Sequence, residues 1–168
     1  NENVLSKKLA KADIIVAMNF SYFIFKTRSS MKEYFSNAFS CLNEGGLFIV
    51  DCFGGPACQE PNVEKVVHKG FSYFWDQESF DAITHHAVFH IHFKIKGEGR
   101  KRKNVFSYDW RMWSIPELRD IMEEVGFRRT LVYWEGTTKS GDGNGEFTRA
   151  EVTNENCDAW VAYIVGEK

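Results

Sequence analysis

Asp13-Ile14-Ile15-Val16-Ala17-Met18 opens on a carboxylate and continues as an unbroken, largely β-branched apolar run. A strand with one wet face would alternate, so this run reads as a strand buried on both faces of a parallel sheet. Downstream, Met31, Tyr34, Phe35, Ala38, Phe39 and Leu42 recur at helical spacing, and Ser30 with Glu33 forms an S-x-x-E capping box for the helix start. Gly45-Gly46 is expected to end that helix. Residues 47–52 form a second apolar run, so strand, helix and strand predict a parallel, right-handed βαβ unit.

Beyond Gly54-Gly55-Pro56 the pattern changes to alternation, the mark of antiparallel strands with one covered face. Phe71, Tyr73 and Trp75 alternate in one strand. Ala87, Phe89, Ile91, Phe93 and Ile95 alternate in the next, with His86, His90, His92 and Lys94 opposite. Gly97-Glu98-Gly99 then turns the chain through Arg100–Lys103 into residues 104–113, which makes residues 65–113 an antiparallel insert or lid. Ser114-Ile115-Pro116-Glu117 is a second capping box, its helix buries Leu118, Ile121, Met122 and Val125, and Gly126 is the expected C-cap. Residues 127–135 and 159–165 read as closing strands joined by a polar loop through residues 141–145. No repeat or linker divides the chain, so residues 1–168 read as a single domain.

With 43% hydrophobic and 15% aromatic residues the chain is too apolar to be disordered. Lys plus Arg number 21 against 23 Asp plus Glu, so no basic field invites nucleic acid. No apolar run reaches the ~20 residues of a membrane span, and the polar start is not a signal peptide. Cys41, Cys52, Cys58 and Cys157 lack C-x-x-C spacing, which favours thiols in a reducing cytoplasm. The missing initiator Met and the early first strand fit a fragment or processed chain as well as a complete one, and the fragment is the favoured expectation.

The words agree with the order of elements. Residues 13–22 look like the fourth strand of a class I, Rossmann-like S-adenosylmethionine-dependent methyltransferase and the loop after it; residues 42–51, with a Leu-x-x-Gly-Gly turn, look like its fifth. Residues 110–118 with Val125-Gly126-Phe127 resemble the entry to its last helix and the Gly-Phe step that follows. Asn-Phe-Ser-Tyr-Phe, Asp-x-Phe-Gly-Gly and Tyr-Asp-Trp-Arg-x-Trp-Ser-Ile-Pro-Glu together resemble one bacterial, uncharacterised subgroup of these enzymes. The resemblance implies an α/β fold that is a partial Rossmann-like methyltransferase sheet: a parallel βαβ, an antiparallel insert, a helix and two closing strands. It implies the C-terminal half of such an enzyme, with S-adenosylmethionine as cofactor and a small molecule as methyl acceptor. The family's glycine-rich turn after the first strand and acidic end of the second are not found. The cofactor-gripping half is therefore expected from a missing N-terminal segment or from a second copy in a homodimer, paired with the edge of strand 13–18.

Methyl transfer is an in-line displacement at a carbon activated by positive sulfur, so the protein chiefly positions two reactants and excludes water. Asn19, Phe20 and Tyr22 lie just past the carboxyl end of a parallel strand, where open α/β sheets bind ligands. The resemblance places Ala17, Asn19 and Phe20 beside the cofactor and Asn19, Tyr22 and Asp51 at the reacting groups. Asp51 serves equally well as a strand-end carboxylate capping backbone amides. Tyr22, Phe53, Trp75, Tyr108, Arg111 and Trp113 are the expected substrate contacts, although alternation sets Arg111 and Trp113 opposite Tyr108 and Trp110. His86, His90 and His92 share a face, yet no further ligand is set by spacing, so they read as a solvated strand surface rather than a metal site. The Arg100–Lys103 run reads as a solvated turn. The alternative to an enzyme is a small-ligand-binding module with an aromatic pocket.

Overall fold

The computed structural model describes residues 3–6, 9–153 and 157–168. Strands β1 (Ala12–Ala17), β2 (Leu42–Gly54), β7 (Arg129–Thr137), β8 (Gly143–Ala150) and β9 (Trp160–Glu167) form one sheet in the order β1-β2-β9-β7-β8. Strands β3 (Asn62–Val67), β4 (Phe71–Phe80), β5 (His86–Ile95) and β6 (Arg102–Arg111) form a second, entirely antiparallel sheet in sequence order. Helices α1 (Arg28–Cys41) and α2 (Ile115–Val125) pack with the first sheet into a core that Ala87, Phe89 and Trp110 of the second sheet join.

The βαβ expectation holds in its essential feature, because β1 and β2 pair in parallel with Ile14 opposite Leu47 and Ala17 opposite Val50. Its details differ. β1 is an edge strand, and Ile14 and Val16 are 58% and 55% exposed, so the run is covered on one face only. α1 starts a turn earlier than the Ser30/Glu33 box predicts: Thr27 is the N-cap and Ser30 completes its box. Gly45-Gly46 does not end the helix, which stops at Cys41; it lies inside β2, where the ladder with β1 slips between Ala12 and Ile14. A Cβ on Gly46 would lie 3.0 Å from the Asp13 carbonyl oxygen, so the glycine permits the close approach of β1 at this bulge.

α2 follows its sequence signals closely. Ser114 and Glu117 cap one another reciprocally, Pro116 occupies the first turn, and Gly126 ends the helix at φ 117°. Leu118, Ile121 and Met122 are fully buried. β9 runs antiparallel to both β2 and β7, and this places Ala162 and Ile164 at the sheet centre without accessible surface.

Two strands are additions to the sequence reading. Every residue of β3 is exposed, and β8 is an edge strand holding two glycines, so neither carries the buried apolar period that marks a strand. His92 is a correction. It was expected on a solvated face but is 3% exposed, its Nε2 2.8 Å from Asp76 Oδ2 and its Nδ1 accepting from the Asn104 backbone N–H at 2.9 Å. A register slip between Ile91 and Phe93 brings Asn104 across the ring.

Candidate functional site

Where β1 ends, the backbone takes an unusual course. Asn19 and Phe20 both adopt left-handed conformations, at φ 58° and 54°. Asparagine tolerates this region, but a phenylalanine there is strained by about 1–3 kcal/mol. The strain is held by Asp51, near the end of the neighbouring β2: its Oδ2 accepts from the Asn19 N–H at 2.6 Å and its Oδ1 from the Phe20 N–H at 2.9 Å. Burial pushes the Asp51 carboxyl above its ordinary value, opposed by the Phe20 and Asn19 amides that stabilise its charge. The Tyr22 hydroxyl donates to the Asp51 carbonyl at 2.5 Å. Burial, reinforced by Cys52 and Asp51, drives the Tyr22 phenol well above its usual range, so it remains a protonated donor.

This clamp presents Asn19 and Phe20 to a cavity of about 1180 Å³. The cavity lies between the carboxyl ends of β1 and β2, the inner face of the second sheet, and the segments around β9 and the β7–β8 turn. Its aromatic wall follows from register. Trp75 faces Ile91, Tyr108 faces Phe89 and Trp110 faces Ala87, so their side chains share one face of the sheet. Tyr108 and Trp110 stack at 4.4 Å between centroids, and Trp75 lies 6.2 Å from each. Phe53 ties this wall to the β1 loop, 4.5 Å from Phe20 and 6.3 Å from Trp75.

Asn19, Phe20, Phe53, Trp75 and Tyr108 therefore converge on one cavity, while five other predicted site residues lie outside its lining. Ala17 is buried in β1, and Tyr22 is 1% exposed inside the core. Asp51 serves the backbone, the capping role that the sequence left open. Arg111 and Trp113 form an internal unit: the guanidinium stacks 3.8 Å from the Trp113 ring, pairs with Glu117 at 2.9 Å and donates to the Lys26 carbonyl. The Trp113 indole N–H donates to the Phe25 carbonyl. Arg111 lies on the odd-numbered face of β6, opposite Tyr108 and Trp110, and Trp113 follows just beyond the strand's end. Trp110, which alternation groups with Tyr108, lines the cavity as well; Gln77 and Tyr73 line it and share the parity of Trp75, so alternation alone could have named them. Trp160, Glu135 and Asp158 also line it, brought from distant segments without a sequence signal.

The fit to S-adenosylmethionine is one-sided. The aromatic wall and the Asn19 amide suit the region around a methyl group in transfer. The glycines at the end of β2, however, are filled: a Cβ on Gly54 would lie 2.5 Å from Trp160, and one on Gly55 2.4 Å from the Asp158 carbonyl oxygen. They pack against the chain and leave no cradle for the cofactor's amino-acid end. The Cys58 thiol lines the cavity but burial pushes it up to about 11, with Glu64 adding to the shift, so it is not a ready nucleophile. Among the described residues no cluster of three or more His, Cys, Asp or Glu is placed to hold a metal, and no helix is long and apolar enough to cross a membrane.

No protein-family model matches the sequence, and no curated protein matches it. Solved structures do match its fold. An S-adenosylmethionine-dependent methyltransferase from Clostridium acetobutylicum aligns over 98% of this chain and 62% of its own, with a TM-score of 0.63 at 14% identity. The CcbJ methyltransferase from Streptomyces caelestis aligns over 97% and 61%, with a TM-score of 0.62 at 17% identity. DesVI from Streptomyces venezuelae aligns over 98% and 62%, with a TM-score of 0.60 at 16% identity. The chain thus spans under two thirds of the length of these structures. Over that span, its fold is the mixed α/β fold of S-adenosylmethionine-dependent methyltransferases.

Proposed function

We propose that this chain is the acceptor-binding, C-terminal half of a class I methyltransferase that moves a methyl group from S-adenosylmethionine to a small molecule. The observation that carries the reading is the Asn19–Phe20 turn. Two consecutive left-handed residues, clamped by a buried carboxylate at the carboxyl end of a parallel strand, are strain spent to aim an amide and a ring into a cavity. A passive apolar pocket has no need of that strain, which weighs against a non-enzymatic binding module. Among the described residues, the Asn19 side-chain amide makes no hydrogen bond and remains available to the reacting group.

The cofactor's amino-acid and ribose ends are to be held by residues outside those described here, on strands that dock against β1. The edge position of β1 and the exposure of Ile14 and Val16 support this arrangement, because open apolar edges invite pairing. An N-terminal segment is the favoured occupant, with a second copy of the chain as the other. Calorimetry with S-adenosylhomocysteine is expected to show little or no binding by residues 1–168 alone. The protein extended by its upstream coding sequence should bind it and transfer labelled methyl groups, and Asn19→Ala should lower the rate. Tight binding by the chain alone overturns the divided site. Ligand binding in the extended protein without methyl transfer favours the binding module.

A further inference from the structure

We propose that the cavity takes its ligand as an organic cation, a protonated amine on a flat or apolar body, so that the methyl acceptor of the preceding reading is an amine, which passes its proton to a lining carboxylate before the freed nitrogen lone pair takes the methyl group and S-adenosylhomocysteine leaves. The aromatic wall is the first reason. Trp75, Tyr108 and Trp110 lie within 6.2 Å of one another and line the cavity, and the faces of such rings attract a cation.

The sign of the charge around that wall is the second. Glu64, Glu135, Asp142 and Asp158 line the cavity, and no Lys, Arg or His does among the described residues. The chain as a whole is nearly balanced, 21 basic against 23 acidic residues, so composition does not account for the bias. None of the four carboxylates forms an ion pair among the described residues. Glu64 pairs across the ladder with Trp75 and shares its face. Its neighbour Lys65 points the other way, toward Phe74 at 6.0 Å, and Lys101 lies 3.9 Å over that same outer ring. Strand alternation therefore sorts acid inward and base outward.

An amide oxygen on the lining is the third. Gln77 is 4% exposed, and its Nε2 donates to the Cys58 carbonyl at 2.7 Å, which determines the amide's orientation. The Gln77 Oε1 on the cavity lining has no donor among the described residues. That oxygen is free to accept from an ammonium N–H that enters the cavity. The raised Tyr73 phenol, shifted by burial and then by Tyr108 and Glu64, fits the convergence of these groups at one place.

The test is calorimetry on the chain near neutral pH with three probes of one shape: 2-phenylethylamine, 2-phenylethanol and phenylacetate. The amine is expected to bind roughly tenfold tighter than the alcohol, and phenylacetate weakest. Glu64→Gln, on a fully exposed edge strand and confirmed folded by circular dichroism, should remove about threefold or more of the amine's affinity and leave the alcohol's unchanged. Equal binding of amine and alcohol, tighter binding of phenylacetate, or an amine preference untouched by Glu64→Gln overturns the inference. Methyl transfer to hydroxyl acceptors by the extended protein, without amine preference, sinks this inference and leaves the methyltransferase reading standing. Amine binding without any methyl transfer does the reverse.

Discussion

Replacing Asp51 by asparagine isolates the clamp that shapes the site. The carboxylate receives two backbone N–H groups, from Asn19 at 2.6 Å and Phe20 at 2.9 Å. Asparagine keeps one acceptor oxygen but turns an NH₂ toward the other amide, leaving a shielded donor unpaired at a cost of about 1–3 kcal/mol. Relief of the carboxylate's burial offsets part of this, so a net loss of about 1–2 kcal/mol is expected, which for a chain of this size lowers Tm by roughly 3–8 °C. Asp51→Ala strands both amides and opens a void, for about 3–5 kcal/mol. Urea unfolding monitored by tryptophan fluorescence measures both. The pH dependence has a definite sign: a folded pKa raised above the unfolded one stabilises most below the unfolded value, and that contribution disappears as pH rises through the folded one. The gap between wild type and Asp51→Asn should therefore narrow as pH rises from the acid range. If both variants lie within about 0.5 kcal/mol of wild type, the turn is held by something else and the strain argument fails.

Arg111→Ala removes the stack on Trp113 and the pair with Glu117, and should cost about 2–3 kcal/mol in denaturant unfolding while leaving amine affinity unchanged. Lost affinity at full stability would restore the substrate contact expected from the sequence. Gly126→Ala forces a side chain into φ 117° with its Cβ 3.4 Å from the Phe39 ring, and calorimetric melting should show a loss of about 1–2 kcal/mol. A neutral result would mean that the α2 cap relaxes freely. Val16→Lys, on the exposed face of the edge strand, should change stability by no more than about 0.5 kcal/mol. In sedimentation it should abolish the concentration-dependent association expected of the unmodified chain; a wild-type chain that stays monomeric throughout counts against β1 as a docking edge.

The parallel β1–α1–β2 unit was legible in the residues alone, because two continuous apolar runs flank a 3.6-residue stripe. So was α2 with both caps, because Ser114, Glu117 and Gly126 act within a few residues of one another. Strands β4, β5 and β6 were legible too, since alternation requires only the geometry of a strand. Local chemistry sets all of these, and local chemistry is what a sequence displays. That Tyr22 and Asp51 face the backbone rather than a ligand emerged from the folded arrangement, because a hydroxyl or carboxylate near a strand end suits either role until its partners are known. Only the packing of the two sheets chose Tyr108 and Trp110 for the cavity and consigned Arg111 and Trp113 to internal contacts: alternation separates two faces but does not say which one is inward. Trp160, Glu135 and Asp158 reach the cavity through strand pairing across many residues. The candidate site is a product of long-range register, which no short stretch of sequence encodes.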